Sequence, residues 1–244
     1  MSVLGFDGVL QRLPATSVMT GADKAAAVVD APAPWAIRGR GFACLLRMDG
    51  AALDGDVFAA PELKGRRRPG RLAIMMYVDY AETPAGPYRE LLFIPGSYEF
   101  AGRRFWAISR IFVSTMDSVV NGRRNWGIPK EQADFAVTPD GRRERVTVTV
   151  AGRPAARFTL KPAPLTVPVT TALVPEGMRR LGQVLGNHLF VLAPSAAGKA
   201  GLGGISDLWS DPALFPDLSR ARPLLTAEIS RFHMTFPLAN ITPL

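Results

Sequence analysis

At 244 residues with a formal charge of +8 and one cysteine, the chain is long enough to bury a sizeable core, and it excludes an internal disulfide and a cysteine metal cluster. Its 23 glycines and 21 prolines imply many turns and few long helices. No run approaches the roughly 18 apolar residues of a membrane helix. The opening MSVLGFDGVLQRLPATS lacks the basic start and continuous apolar centre of a signal peptide. A cytoplasmic protein is the default expectation, with no membrane partner.

Much of the basic charge sits in arginine clusters at Arg66–Arg68, Arg103–Arg104, Arg142–Arg143 and Arg179–Arg180, mostly beside glycine or proline. These read as solvated turn tips. No groove-reading or aromatic-interleaved motif accompanies them, so nucleic acid is not an expected partner. A basic pocket suits a small anionic ligand better.

The segment from Gly21 to Pro34 reads as an extended connection, and residues 1–33 as an N-terminal extension to a single domain spanning 1–244. Trp35 to Met48 turns strand-like, with Cys44 a buried structural thiol in an apolar run. Ala51 to Pro61 reads as a short helix or loop, and Lys64 to Gly70 as a turn. Arg71 to Tyr80 is apolar and bounded by turns, as a buried strand is. After the turn Glu82 to Pro87, Tyr88 to Ile94 is a strand in which Tyr88 and Glu90, two apart, share a face. Phe105 to Thr115 is a further strand, and Met116 to Val120 a single helical turn.

Asn121 to Phe135, NGRRNWGIPKEQADF, concentrates the chemistry. Gly122 and Gly127 free the backbone, Pro129 stiffens it, and Trp126, Ile128 and Phe135 favour burial. Lys130 is therefore presented from a stiff apolar turn beside arginines. Desolvation and like charge both disfavour the ammonium form, and a neutral amine attacks carbonyl carbon to form a Schiff base. Glu131, adjacent on an extended segment, is expected to face the opposite way.

Beyond it, Gln132 to Thr138, Glu144 to Val150 and Ala155 to Leu160 form a β-meander around the turn Pro139-Asp140-Gly141 and the pair Gly152 and Pro154. Lys161 to Pro168 is a proline-rich connection. Val169 to Val174 and His188 to Leu192 read as strands. The stretch from Ser195 to Gly204 lacks the Lys-Ser/Thr ending of a phosphate loop, since Ala200 follows Lys199, and its small residues suit close strand packing. Asp207 to Leu218 reads as an irregular excursion, and Leu224 to Leu238 as a long closing strand. Two histidines, His188 and His233, without an acid motif point to structural roles rather than a metal site.

Gly122 and Arg123, with Pro129 and Lys130 following so that the lysine stands seven residues after the arginine, resemble the acetoacetate decarboxylase superfamily. Activation of a lysine by its surroundings in acetoacetate decarboxylase is an established example of nucleophilic catalysis. The resemblance implies a mainly β (α+β) fold with a closed β-barrel core and few short helices, over about Pro34 to Leu238. It implies Lys130 as the Schiff-base lysine and Glu90 as its proton carrier. It implies Arg40 as a substrate-binding arginine on the early strand, although a strand-edge arginine in solvent is an equal reading. Tyr88, Arg123 and Trp126 join the expected substrate-binding set. Glu131 replaces a second lysine, Arg124 replaces an acid, and Ala73 and its apolar neighbours stand where a glutamate is usual. The implied activity is a Schiff-base-forming lyase acting on a small keto acid, without cofactor or metal, in a homo-oligomer. A non-catalytic member binding an apolar or acidic small ligand is the alternative.

Overall fold

The computed structural model describes residues 27–244, so residues 1–26 of the expected N-terminal extension, and the leader reading made on them, lie outside the described residues. In chain order the elements are Trp35–Arg47 (β1), Gly50–Asp54 (α1), Leu72–Glu82 (β2), Tyr88–Ile94 (β3), Ser97–Phe100 (β4), Arg103–Trp106 (β5), Arg110–Val113 (β6), Met116–Trp126 (α2), Lys130–Gln132 (β7), Asp134–Asp140 (β8), Arg143–Val150 (β9) and Arg153–Lys161 (β10). Val167–Thr170 (β11), Glu176–Arg179 (α3), Leu181–Leu185 (β12), His188–Leu192 (β13), Ser195–Leu202 (β14), Gly204–Ser210 (β15), Arg222–Phe236 (β16) and Asn240–Pro243 (β17) complete them. No helix among the described residues is long and apolar enough to cross a membrane.

The fold is mostly β, as expected, but the closed barrel is not formed. The strands make three open sheets: eight strands in the order β11-β14-β16-β1-β2-β3-β6-β7, four in the order β15-β10-β9-β8, and five in the order β17-β13-β12-β5-β4. Closure is one solution to the exposed-edge problem, and short or interrupted edge strands are another. Here β7 has three residues, and β11, β4 and β17 have four each. Proline stands in the edge strands β11, β8 and β17 (Pro168, Pro139 and Pro243), where a missing N–H costs no ladder bond.

The central sheet separates two apolar clusters, and side-chain parity assigns each residue to one of them. Ala73, Met75 and Tyr77 of β2, with Leu91 and Phe93 of β3, pack against Val146, Val148, Phe158 and Leu160 of the four-stranded sheet. The alternate residues Val78 and Tyr80, with Tyr88, Leu92 and Ile94, face the other way and meet Val119 and Trp126 of α2. In β1 the same alternation holds: Trp35 and Ile37 belong to the second cluster, and Phe42, Cys44 and Leu46, at the alternate positions, belong to the first. The register shifts between Arg38 and Gly41 put the extra residues in the partner strands β2 and β16, so β1 itself keeps its alternation.

Several expected elements differ. The stretch Phe105 to Thr115 is two strands in different sheets, β5 and β6, because the intervening residues carry the chain from one sheet to the next. The helical turn at Met116 is an eleven-residue helix that runs through Gly122. Residues Asp207 to Ser210 belong to strand β15, and β4, β12 and β17 arise in segments without strong alternation. The reading of arginine clusters as solvated tips fails at Arg67, which is buried and ion-paired with Asp54 at 2.8 Å.

Candidate active site

The helix α2 and strand β7 build the site together. Thr115 caps α2, accepting from the Ser118 amide at 3.4 Å, and Asp117 in the first turn complements the helix dipole. Gly127 ends it in the left-handed conformation at φ 62°, with its N–H donating to the Arg123 carbonyl at 2.9 Å. The chain then returns beside β6 in parallel, pairing Ile111 with Lys130 and Phe112 with Glu131. Lys130 thus shares the cavity-facing side of Ile111. Glu131 shares the face of Phe112 and bonds Arg110 at 2.5 Å, on the opposite side of the sheet.

Lys130 is 3% exposed. Its Nζ lies 3.0 Å from a Glu90 carboxylate oxygen and donates to Ser118 Oγ at 2.9 Å and to the Tyr88 hydroxyl at 3.2 Å. It also sits 4.8 Å from the Tyr88 ring centroid. The second oxygen of Glu90 accepts from the Tyr80 hydroxyl at 3.1 Å. A chain of polar groups, Tyr80–Glu90–Lys130–Ser118, is therefore satisfied internally, as buried charge requires.

This arrangement reverses the expected direction for Lys130. Desolvation, the largest influence, pushes its pKa down, but the charges of Glu90 and Tyr88 and hydrogen bonds to both push it up. The net direction is upward from the ordinary 10.5, because an ion pair at contact in a dry site outweighs the burial. The arginines do not contribute as expected: Arg123 is exposed and its Nε donates to the Lys130 backbone carbonyl at 2.9 Å. Burial also raises the Tyr80 and Tyr88 phenols, which keeps both as hydrogen-bond donors.

Above this cluster lies a half-open cavity of about 250 Å³ with a mainly apolar lining, including Trp35, Ile37, Met76, Val78, Leu92, Ile108 and Trp126. Trp126 is fully buried; its indole N–H donates to the Pro237 carbonyl at 2.7 Å and its ring meets Trp35 edge-on at 5.0 Å. Of the residues expected in a site, Lys130, Glu90, Tyr88 and Trp126 line this cavity. Arg123 lies on its outer side and buttresses the β7 backbone. Arg40 is not among the lining residues. Its parity is that of Phe42 and Cys44, so it points toward the four-stranded sheet, where Glu144 accepts two hydrogen bonds from it at 2.7 and 3.0 Å. Those carboxylate bonds hold the guanidinium charged, raising its pKa.

Three lining or contacting residues escaped the sequence reading. Tyr80 was legible by parity with Met76 and Val78. Ser118 was hidden because the helix carrying it was read as one turn. Arg179 also lines the cavity, and nothing in its Arg-Arg context distinguishes it from a solvated tip.

The family model described as acetoacetate decarboxylase (ADC) matches residues 60–182, just over half of the chain. No curated protein matches the sequence. Among solved structures, acetoacetate decarboxylase from Legionella pneumophila is similar at a TM-score of 0.67 and 14% identity, over 86% of this chain and 88% of that one. An acetoacetate decarboxylase-like enzyme from Sphingomonas wittichii RW1 is similar at 0.63 and 14%, over 88% and 95%. The enduracididine biosynthesis enzyme MppR, complexed with pyruvate, is similar at 0.56 and 18%, over 86% and 90%. At these identities the likeness is one of fold.

Proposed function

Because the chain belongs to the acetoacetate decarboxylase family, we propose that it is a Schiff-base-forming lyase acting on a small keto acid, with Lys130 as nucleophile and Glu90 as proton carrier. The observation that carries this reading is a buried lysine amine at the inner end of an apolar cavity, 3.0 Å from a carboxylate. At rest the amine is an ammonium ion. Passing one proton to Glu90, within hydrogen-bond reach, frees the nitrogen lone pair. That pair attacks the carbonyl carbon, the oxygen leaves as water, and an iminium ion remains. In a 3-keto acid the bond to the carboxyl carbon then breaks, its electrons form an enamine, and carbon dioxide departs. Glu90, which gave its first proton to the departing oxygen, takes another from solvent and delivers it to carbon, and water then releases the ketone and the amine. Tyr80 holds the carboxylate, and Ser118 and Tyr88 hold the nitrogen.

The same iminium serves aldol or dehydration chemistry, and the MppR complex with the condensation product of pyruvate and imidazole 4-carboxaldehyde shows a relative of this fold holding such a product. A binding protein without chemistry is the second reading, favoured by the neutralised resting ion pair. The same proposal takes the chain as one cytoplasmic domain that works without cofactor. It takes the exposed Val167, Val169, Leu202 and Leu224 as surface for a homo-oligomer.

Borohydride reduction in the presence of a panel of keto acids tests the reading. Covalent mass is expected on the peptide carrying Lys130, and not on the exposed Lys64, Lys161 or Lys199. Even labelling of all lysines, or none with any keto acid, moves the assignment to the binding protein.

A further inference from the structure

We propose that Arg179 is the anion-binding residue of the cavity, and that the substrate carries a carboxylate at the solvent end while its carbonyl reaches Lys130. The carbonyl half rests on the Schiff-base reading above; the anion half stands apart from it. Three charged side chains line the cavity: Glu90, Lys130 and Arg179. Glu90 and Lys130 neutralise one another at 3.0 Å, so the charge of Arg179 is left unbalanced.

The setting of Arg179 is that of a prepared anion site. Its Nε donates to the Val174 carbonyl at 3.0 Å, and its Nη1 donates to the carbonyls of Ala193 at 3.4 Å and Pro194 at 2.5 Å. These neutral acceptors fix the plane of the guanidinium without cancelling its charge. Its Nη2 has no hydrogen-bond partner among the described residues, and no carboxylate pairs with it there. Arg180, next in sequence, instead meets Glu176 at 3.3 Å and does not line the cavity. Arg179 is half-buried whereas Lys130 is fully buried, so of the two cations Arg179 is the more open to solvent, in a cavity whose lining is mainly apolar. A guanidinium held in this way binds a carboxylate strongly, because little rotamer freedom remains to be lost.

Trp35 and Trp126 line the same cavity, so their fluorescence reports its occupancy. Pentanoate and methyl pentanoate test the anion half without any carbonyl chemistry. The wild type is expected to bind the acid at least roughly tenfold tighter than the ester, the scale of one charged hydrogen-bonded pair. Arg179→Gln should abolish that preference by weakening the acid alone, Arg179→Lys should keep part of it, and Arg180→Gln should keep all of it. Equal binding of acid by wild type and Arg179→Gln overturns the assignment. So does a parallel loss of acid and ester, which marks Arg179 as a strut for the Val174 and Pro194 segments, and so does a wild type without preference for the acid. Borohydride trapping of levulinate tests the carbonyl half separately. Loss of trapping alongside an intact acid preference removes the Schiff base and leaves Arg179 in place.

Discussion

At the residue scale, Lys130 and Glu90 hold each other, almost fully buried, at the inner end of the cavity. Removing one leaves the other buried without its partner. Lys130→Met is therefore expected to cost about 3–5 kcal/mol in a urea unfolding experiment, and Lys130→Met/Glu90→Gln to recover most of it. A double variant no more stable than the single one would show that the pair is not closed in solution. The pH profile carries a second signature. In the wild type the Lys130 pKa is raised and the proton moves within the pair, so trapping should be nearly flat across neutral pH. Glu90→Gln removes the principal cause of the rise and leaves desolvation, which lowers a lysine pKa. Its trapping rate should then climb with pH to a plateau, with a midpoint below the ordinary 10.5. A midpoint above that value contradicts the assigned cause.

At the element scale, α2 is shaped by the lysine it faces. Gly122 stands mid-helix, where alanine usually stabilises by about 0.5–1 kcal/mol. A Cβ there would lie 2.6 Å from Lys130 Cδ and 2.9 Å from Cε. The Lys130 chain runs across the bare backbone of Gly122, and its amine is pinned by Glu90, Tyr88 and Ser118. Gly122→Ala should consequently leave thermal stability within about 1 kcal/mol of wild type, the helix gain offsetting the displacement. Lys130 trapping should slow at least roughly tenfold, as expected when a reacting group is moved by a fraction of an ångström. Trapping at the wild-type rate would show that the amine does not depend on this contact. Gly127 has a different reason: its φ of 62° closes the helix, and Phe190 fills the space a side chain would need.

At the scale of the whole molecule, Arg40 joins two sheets. It reaches from β1 to Glu144 of β9, with Asp79 at 3.4 Å alongside. Its side chain is 36% exposed, so solvent screens the pair and its loss is modest. Arg40→Met is expected to destabilise by about 1 kcal/mol and to leave carboxylate binding and Lys130 trapping unchanged. A selective loss of acid binding in that variant would return Arg40 to the site. The two faces of the central sheet thus divide the work: one is closed by a second sheet, and the other, roofed by α2, keeps a cavity.

Residues near one another in the chain were legible without the fold. The β2 segment was legible as an apolar run bounded by turns, β9 by its period of two, and the pairing of Tyr88 with Glu90 on one face by that same period. Lys130 stood out because Gly127, Pro129 and Trp126 surround it within a few positions. Arg40 was misplaced because its order after Pro34 and Trp35 does not say which face of the sheet carries the cavity; alternation puts it on the face opposite Trp35 and Ile37, and only tertiary packing brings Glu144 of β9 there. Open sheets replaced the expected barrel because closure is decided by which edges meet, and local patterns carry no such term. The protonation of Lys130 was reversed by Glu90, 40 positions away in sequence and 3.0 Å away in space. Arg179 became a cavity residue only through the carbonyls of Ala193 and Pro194 that orient it. Periodicity and turn chemistry act over a few residues and are written in the sequence, whereas charge balance and cavity shape arise between segments that only tertiary packing brings together.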